Sequence, residues 1–151
     1  MLLLFGAGVL LSACGGAGSK RASFYQRLEG TWTIERLNGR FIDPSRIDQR
    51  YSDVRVTFWG GNQERQYRIE GQFSSDSTAL VAGGAVVLRG GDALQMASGF
   101  PRPVTWTYQF EASRAVFELR TGSRSFLRAL FPETTWSEAQ ELTMTLAPVD
   151  E

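Results

Sequence analysis

The sequence predicts an all-β domain, an antiparallel meandering barrel or half-barrel of eight to ten strands with a short N-terminal helix in front of it. Three observations carry that expectation. Segment after segment alternates apolar with polar residues at period 2, the signature of a strand with one buried face. Clusters of Gly, Asn, Asp and Ser punctuate those segments at short intervals, where hairpin turns need them. Helical periodicity is nearly absent outside the first residues of the domain.

The chain of 151 residues opens on an apolar, uncharged run, Leu2 to Leu11, followed by Ser12-Ala13-Cys14. A helix needs roughly 20 residues to span a bilayer, so this run is too short. It has instead the length of a signal-peptide apolar region ending in small residues. Leu11-Ser12-Ala13-Cys14 resembles the bacterial lipobox, and the single Cys of the chain stands where that motif requires it. The resemblance implies cleavage before Cys14 and acylation of that residue. It makes 1–13 a lipoprotein signal peptide, and the membrane a partner through the lipid on Cys14. Residues 14–22 are then a lipidated Cys and flexible tether, Gly15-Gly16-Ala17-Gly18-Ser19 leading into Lys20 and Arg21. Random-coil scaling gives that tether a reach of roughly 16 Å, which keeps the domain beside the membrane. The expected location is the cell envelope, the outer membrane in preference to the inner.

The domain, 23–151, then unfolds in order. Ala22 to Leu28 spaces Phe24 and Leu28 four apart, on one face of a short helix. Thr31 to Leu37 places Trp32 and Ile34 on one face of a strand. Val54, Val56 and Phe58 alternate with Arg55, Thr57 and Trp59; Tyr67, Ile69, Gly71 and Phe73 alternate with Arg68, Glu70 and Gln72. Gly60-Gly61-Asn62 is the turn between them. Thr78 to Leu88 is apolar and β-branched, interrupted by Gly83-Gly84. Val104, Trp106, Tyr108 and Phe110 form one face of a further strand, followed by a strand holding Phe117 and Leu119. Leu142, Met144 and Leu146 mark the closing strand. Two stretches are open. Phe126 to Phe131 is apolar on both faces, either a covered strand or a helical turn, and Thr135 with Glu138 carries a helix-start pattern.

Composition excludes several functions. Lys plus Arg is 16 and Asp plus Glu is 16, so the electrostatic footprint of a nucleic-acid binder is missing. With no His there is no Ser-His-Asp or Cys-His pair and no usual zinc or haem site. No Gly-x-Ser-x-Gly, Walker loop or Gly-x-Gly-x-x-Gly occurs, and Asp43, Asp48 and Asp53 lack calcium-loop spacing. No catalytic residues, metal ligands or cofactors are expected.

Leu28-Glu29-Gly30-Thr31-Trp32 resembles the Gly-x-Trp opening of lipocalins, placed after a short helix at the start of the first strand. With the strand-turn-strand from Val104 to Arg120 and the closing strand Leu142 to Leu146, the chain resembles the small lipocalin-like domains of bacterial lipoproteins. Larger lipocalins pack an Arg from near the last strand onto that Trp; here no base follows Arg128. A second resemblance, to META-type envelope domains, rests on Gly30-Thr31-Trp32-Thr33-Ile34 and Asn38-Gly39, without the Gly-Cys-Asn element of that family.

The lipocalin resemblance implies a small apolar or amphipathic ligand in the barrel. Tyr67, Phe73, Trp106, Tyr108 and Phe117 are the candidate ligand contacts, and Trp32 is a structural plug at the barrel end. The competing reading is that such rings fill the lumen, because an eight-stranded barrel has room for little beyond its own side chains. The protein would then act from its outside, as a structural or protein-contact module of the envelope. Trp59 and Trp136 are candidate contact points, and the acidic stretch from Glu133 onward is a possible partner for the Arg-rich segment around Arg46 to Arg68.

Overall fold

Alternation at period 2 builds eight strands, and hydrogen bonding closes them into a barrel. The structure is a computed structural model describing residues 25–39, 46–61, 63–136 and 141–149. The leader, Cys14, the tether and most of the Thr135–Gln140 segment lie outside the described residues. In chain order the strands are β1 (Gly30–Gly39), β2 (Asp53–Trp59), β3 (Gln66–Gln72), β4 (Thr78–Arg89), β5 (Ala93–Met96), β6 (Val104–Glu111), β7 (Arg114–Thr121) and β8 (Leu142–Pro148). Helix α1 (Arg46–Arg50) lies between β1 and β2, and α2 (Ser123–Leu130) between β7 and β8. Each strand pairs antiparallel with the next, and β8 returns to β1 with Ile34 opposite Leu146 and Gly39 opposite Leu142. Closure leaves no row of unpaired N–H and C=O groups at a sheet edge. The expected antiparallel meander is what forms, with eight strands.

Burial follows the alternation, with one phase change. Trp32 and Ile34 point inward on β1, yet the next buried residue is Leu37. The register shifts between Ile34 and Arg36, so Glu35 is the extra residue of a β-bulge and Leu37 rotates into the core. On the outside, Glu35 takes both guanidinium nitrogens of Arg114, at 2.5 and 2.8 Å. The bulge thus re-aims one side chain inward and offers another to the neighbouring wall.

The two ends of the barrel are covered differently. At the lower end, a helical turn over 25–28 lays Tyr25 and Leu28 across the opening, both fully buried. The Trp32 indole donates to the Leu28 carbonyl at 2.7 Å. The Tyr25 hydroxyl lies 2.8 Å from the Trp59 carbonyl and 3.1 Å from that of Gln66. At the upper end, the stretch apolar on both faces is helix α2. Phe126, Leu127 and Leu130 share one face and are fully buried. Gly122 starts this helix at φ 92°, and a Cβ there would stand 2.6 Å from the Pro103 carbonyl. A side chain is therefore excluded twice, by backbone conformation and by space.

The Gly83-Gly84 pair does not end a strand. β4 runs through it because the loop between β5 and β6 passes over the barrel there: a Cβ on Gly84 would sit 2.8 Å from the Ser98 carbonyl. The Ala85 amide donates to Ser98 Oγ at 2.8 Å, holding that loop down. A residue type read as a break marks a close crossing of backbone instead.

Inward and outward positions of β6 should differ sharply in stability. Trp106→Ala is expected to lose about 3–5 kcal/mol of unfolding free energy, as large-to-small core changes do. Gln109→Ala, exposed on the same strand, should stay within about 0.5 kcal/mol. Urea denaturation of both variants measures this, and equal losses would contradict the register.

Candidate functional site

Strands β3, β6 and β7 bring four of the five candidate ligand residues into the lumen. Tyr67, Trp106, Tyr108 and Phe117 are buried there, Tyr108 being the most exposed at 4%. Phe117 is the hub. Its ring stacks on Tyr108 at 5.4 Å and on Phe58 at 6.3 Å, and meets Trp106 edge-on at 6.1 Å. These separations and angles are the offset and T-shaped arrangements that aromatic quadrupoles favour. From the hub, contact runs downward through Phe58 to Tyr25 and upward through Trp106 to Phe126 at 5.0 Å. Ring contacts thus extend from one end plug to the other.

Phe73 is not part of that chain. β3 ends at Gln72, and the Phe73 amide donates to the Ser77 carbonyl at 2.8 Å in the following turn. Its half-buried ring packs on Tyr51 at 5.2 Å, with the Arg50 guanidinium 5.7 Å above it. Tyr51 continues to Phe131 and, through it, to Trp136. Phe73 therefore packs against the upper end of the core through Tyr51, outside the chain of rings that runs through Phe117.

Trp32 lies at the lower end, 7% exposed, with its ring 6.4 Å from Phe110. No Arg from the last strand reaches it. Cations cover neighbouring rings instead, Arg27 4.0 Å over Phe110 and Arg65 5.3 Å over Tyr25. Of the two candidate contact tryptophans, Trp59 is 41% exposed, whereas Trp136 is 8% exposed against Phe131. Trp136 is thus a covered residue and offers no outward face. The Arg-rich segment does meet the acidic stretch, through an ion pair between Arg50 and Glu133.

Four residues that close the lumen escaped the sequence reading: Tyr25, Tyr51, Phe100 and Phe126. Phe100 lies in a loop, stacked on Tyr67 at 6.0 Å and in contact with Phe126 at 6.0 Å. Loop residues carry no period that assigns them to a face. Phe126 had no assigned face either, since its segment was apolar all round.

The buried polar atoms are mostly committed. The Tyr67 hydroxyl donates to the Ser98 carbonyl at 2.7 Å, and Tyr51 to that of Leu130 at 2.5 Å. Burial pushes the Tyr108 phenol up to about 12, with the Asp92 charge adding to the shift. Burial also raises Tyr25 to about 12, reinforced by Glu29, and it raises Tyr67 as well. These phenols hold their protons, and those of Tyr25 and Tyr67 donate to backbone carbonyls. Trp106 Nε1 and Arg65 Nε are buried donors with no acceptor among the described residues.

No protein-family model matches the chain, and no curated protein matches its sequence. The eight-stranded antiparallel closed barrel, compatible with a lipocalin-like fold, stands on geometry.

The raised phenols predict a base-induced loss of stability. An unfolded Tyr ionises near pH 10, so above that pH the unfolded chain releases protons that the folded one keeps. Stability should be complete below about pH 10 and fall as pH rises toward 12, by about 1.4 kcal/mol per pH unit for each such tyrosine. Urea unfolding across that range should show the decline, and Tyr108→Phe should remove one tyrosine's share of the slope. A slope unchanged in Tyr108→Phe would contradict the assignment.

Proposed function

We propose that this chain is a lipid-anchored module of the bacterial cell envelope, without catalytic activity, whose barrel is packed shut and which works through its outer surface. One observation carries the reading: rings in contact span the lumen from Tyr25 to Phe126, and each end is covered. An eight-stranded barrel is just wide enough for side chains, and aromatic rings burying roughly 150–250 Å² each fill it. The anchor rests on Leu11-Ser12-Ala13-Cys14. Outward-facing Trp59, Leu80 and Val87 supply apolar contact area, at 41%, 61% and 38% exposure. Leu80 and Val87 both lie on β4, flanked by charged residues of β3 such as Arg68 and Glu70.

A second reading has one observation in its favour. The unpaired Trp106 Nε1 is a donor that a small guest with a polar acceptor would satisfy, as the lipocalin resemblance implies. The guest would have to displace Phe126 or Phe117 to reach it.

Two measurements separate and test these readings. Mass spectrometry of the membrane fraction should find the chain cleaved before Cys14 and acylated on it; an uncleaved chain with an unmodified Cys14 defeats the anchor. For the barrel, thermal melts against a panel of fatty acids and phospholipids should show no shift, since a ligand bound to the folded state raises the melting point by mass action. Phe126→Ala should cost about 3–5 kcal/mol and open an apolar cavity that admits benzene. A lipid co-purifying with the wild-type chain would favour the second reading over the first.

A further inference from the structure

A cleft of about 740 Å³ opens on the upper rim of the barrel, outside the lumen and at the end away from Tyr25. The residues before α2, its first turns and the segment leading into β6 form it. Arg102, Arg124 and Arg128 line it together with Gln95, Thr121 and Ser125, and no carboxylate among the described residues does. Elsewhere the guanidinium groups of Arg50, Arg55, Arg68, Arg114 and Arg120 each face a carboxylate. Among the described residues Arg102 and Arg128 have no ion pair or hydrogen bond, although both are exposed. Ser125 adds a second, independent sign. It is only 8% exposed, it lines the cleft, and its hydroxyl has no hydrogen-bond partner among the described residues. A hydroxyl that opens onto a cleft without a protein partner is available as donor and acceptor to a ligand from outside the chain.

We infer that this cleft binds a phosphate-bearing anion. Guanidinium groups recognise phosphate oxygens through paired, charge-assisted hydrogen bonds, and a Ser hydroxyl donates a further one. Arg124 and Arg128 are one helical turn apart and so share a face of α2. Arg102, from the segment before β6, lines the same cleft. The volume lies within the roughly 300–1,000 Å³ typical of small-molecule sites, enough for a small organic phosphate in addition to the bare anion. The inference stands whether or not Cys14 is acylated, and it goes beyond the packed-barrel reading by naming a ligand class for the outer surface.

The full chain, kept in non-ionic detergent at low salt, should be titrated calorimetrically with inorganic pyrophosphate and separately with glycerol 3-phosphate. Binding tighter than about 1 mM is expected for at least one of them. The tighter probe identifies the source, a free phosphate for pyrophosphate and a lipid headgroup for glycerol 3-phosphate. Arg102→Gln combined with Arg128→Gln should weaken binding about ten-fold or more, and Ser125→Ala about three-fold or more. Arg55→Gln combined with Arg68→Gln removes the same charge elsewhere and should leave affinity within about two-fold. All the exchanged arginines are solvent-exposed, and thermal melts check that each variant is folded. No binding of either probe, or an equal loss in the Arg55/Arg68 control, overturns the site.

Discussion

The interior of an eight-stranded barrel sets the terms for everything else in this molecule. Its width is fixed by strand number and stagger, and the side chains pointing inward must fill it without voids. Here Phe117 occupies the middle and touches three other rings at favourable angles. Because rings fill the lumen, both openings can be sealed by further rings that pack on the stack. Tyr25 seats on Phe58 below, and Phe126 on Trp106 above.

Aromatic residues also tie the connecting segments down. Trp32 donates to Leu28, Tyr25 reaches Trp59 and Gln66, Tyr51 donates to Leu130, and Tyr67 to Ser98. In each case the ring belongs to the buried cluster, while the acceptor is a backbone carbonyl near a barrel end. Such bonds contribute about 1 kcal/mol each, and leaving the donor unmatched in the interior costs about 1–3 kcal/mol. The same side chains that build the core therefore determine where the loops and helices rest. Trp106 Nε1 differs, a donor within the stack without an acceptor among the described residues.

With rings filling the interior, charged groups lie on the outside, where five arginines are ion-paired. The bidentate Glu35–Arg114 contact draws the Glu35 carboxyl below its ordinary range, chiefly through the hydrogen bond from Arg114. It joins β1 to the start of β7 on the outer wall, across β8. The upper-rim cleft, lined by Arg102, Arg124 and Arg128, is a local concentration of positive charge that the zero net charge conceals. Whole-chain charge speaks to long-range steering and is silent about such a cluster.

The barrel wall was legible residue by residue: Val54, Val56 and Phe58 on β2, Trp106 and Tyr108 on β6, and Leu142, Met144 and Leu146 on β8 all face inward as the alternation requires. That pattern is local, since period-2 alternation needs only neighbours along the chain to state which side is buried. The plugs, the loop crossing at Gly84 and the bulge at Glu35 were not legible, because each is defined by a segment distant in sequence. Phe126 becomes a stopper only once Trp106 is beneath it, and Gly84 is needed only because Ser98 passes over it. Arg102 is 22 positions before Arg124, and only the β6–β7 hairpin returns the chain to the rim where the two meet. Local pattern was enough to state which strands form and which of their faces is buried. The tertiary structure alone decided that the lumen is shut and that a basic cleft stands outside it, because packing density and charge proximity depend on distances in space that no local period encodes.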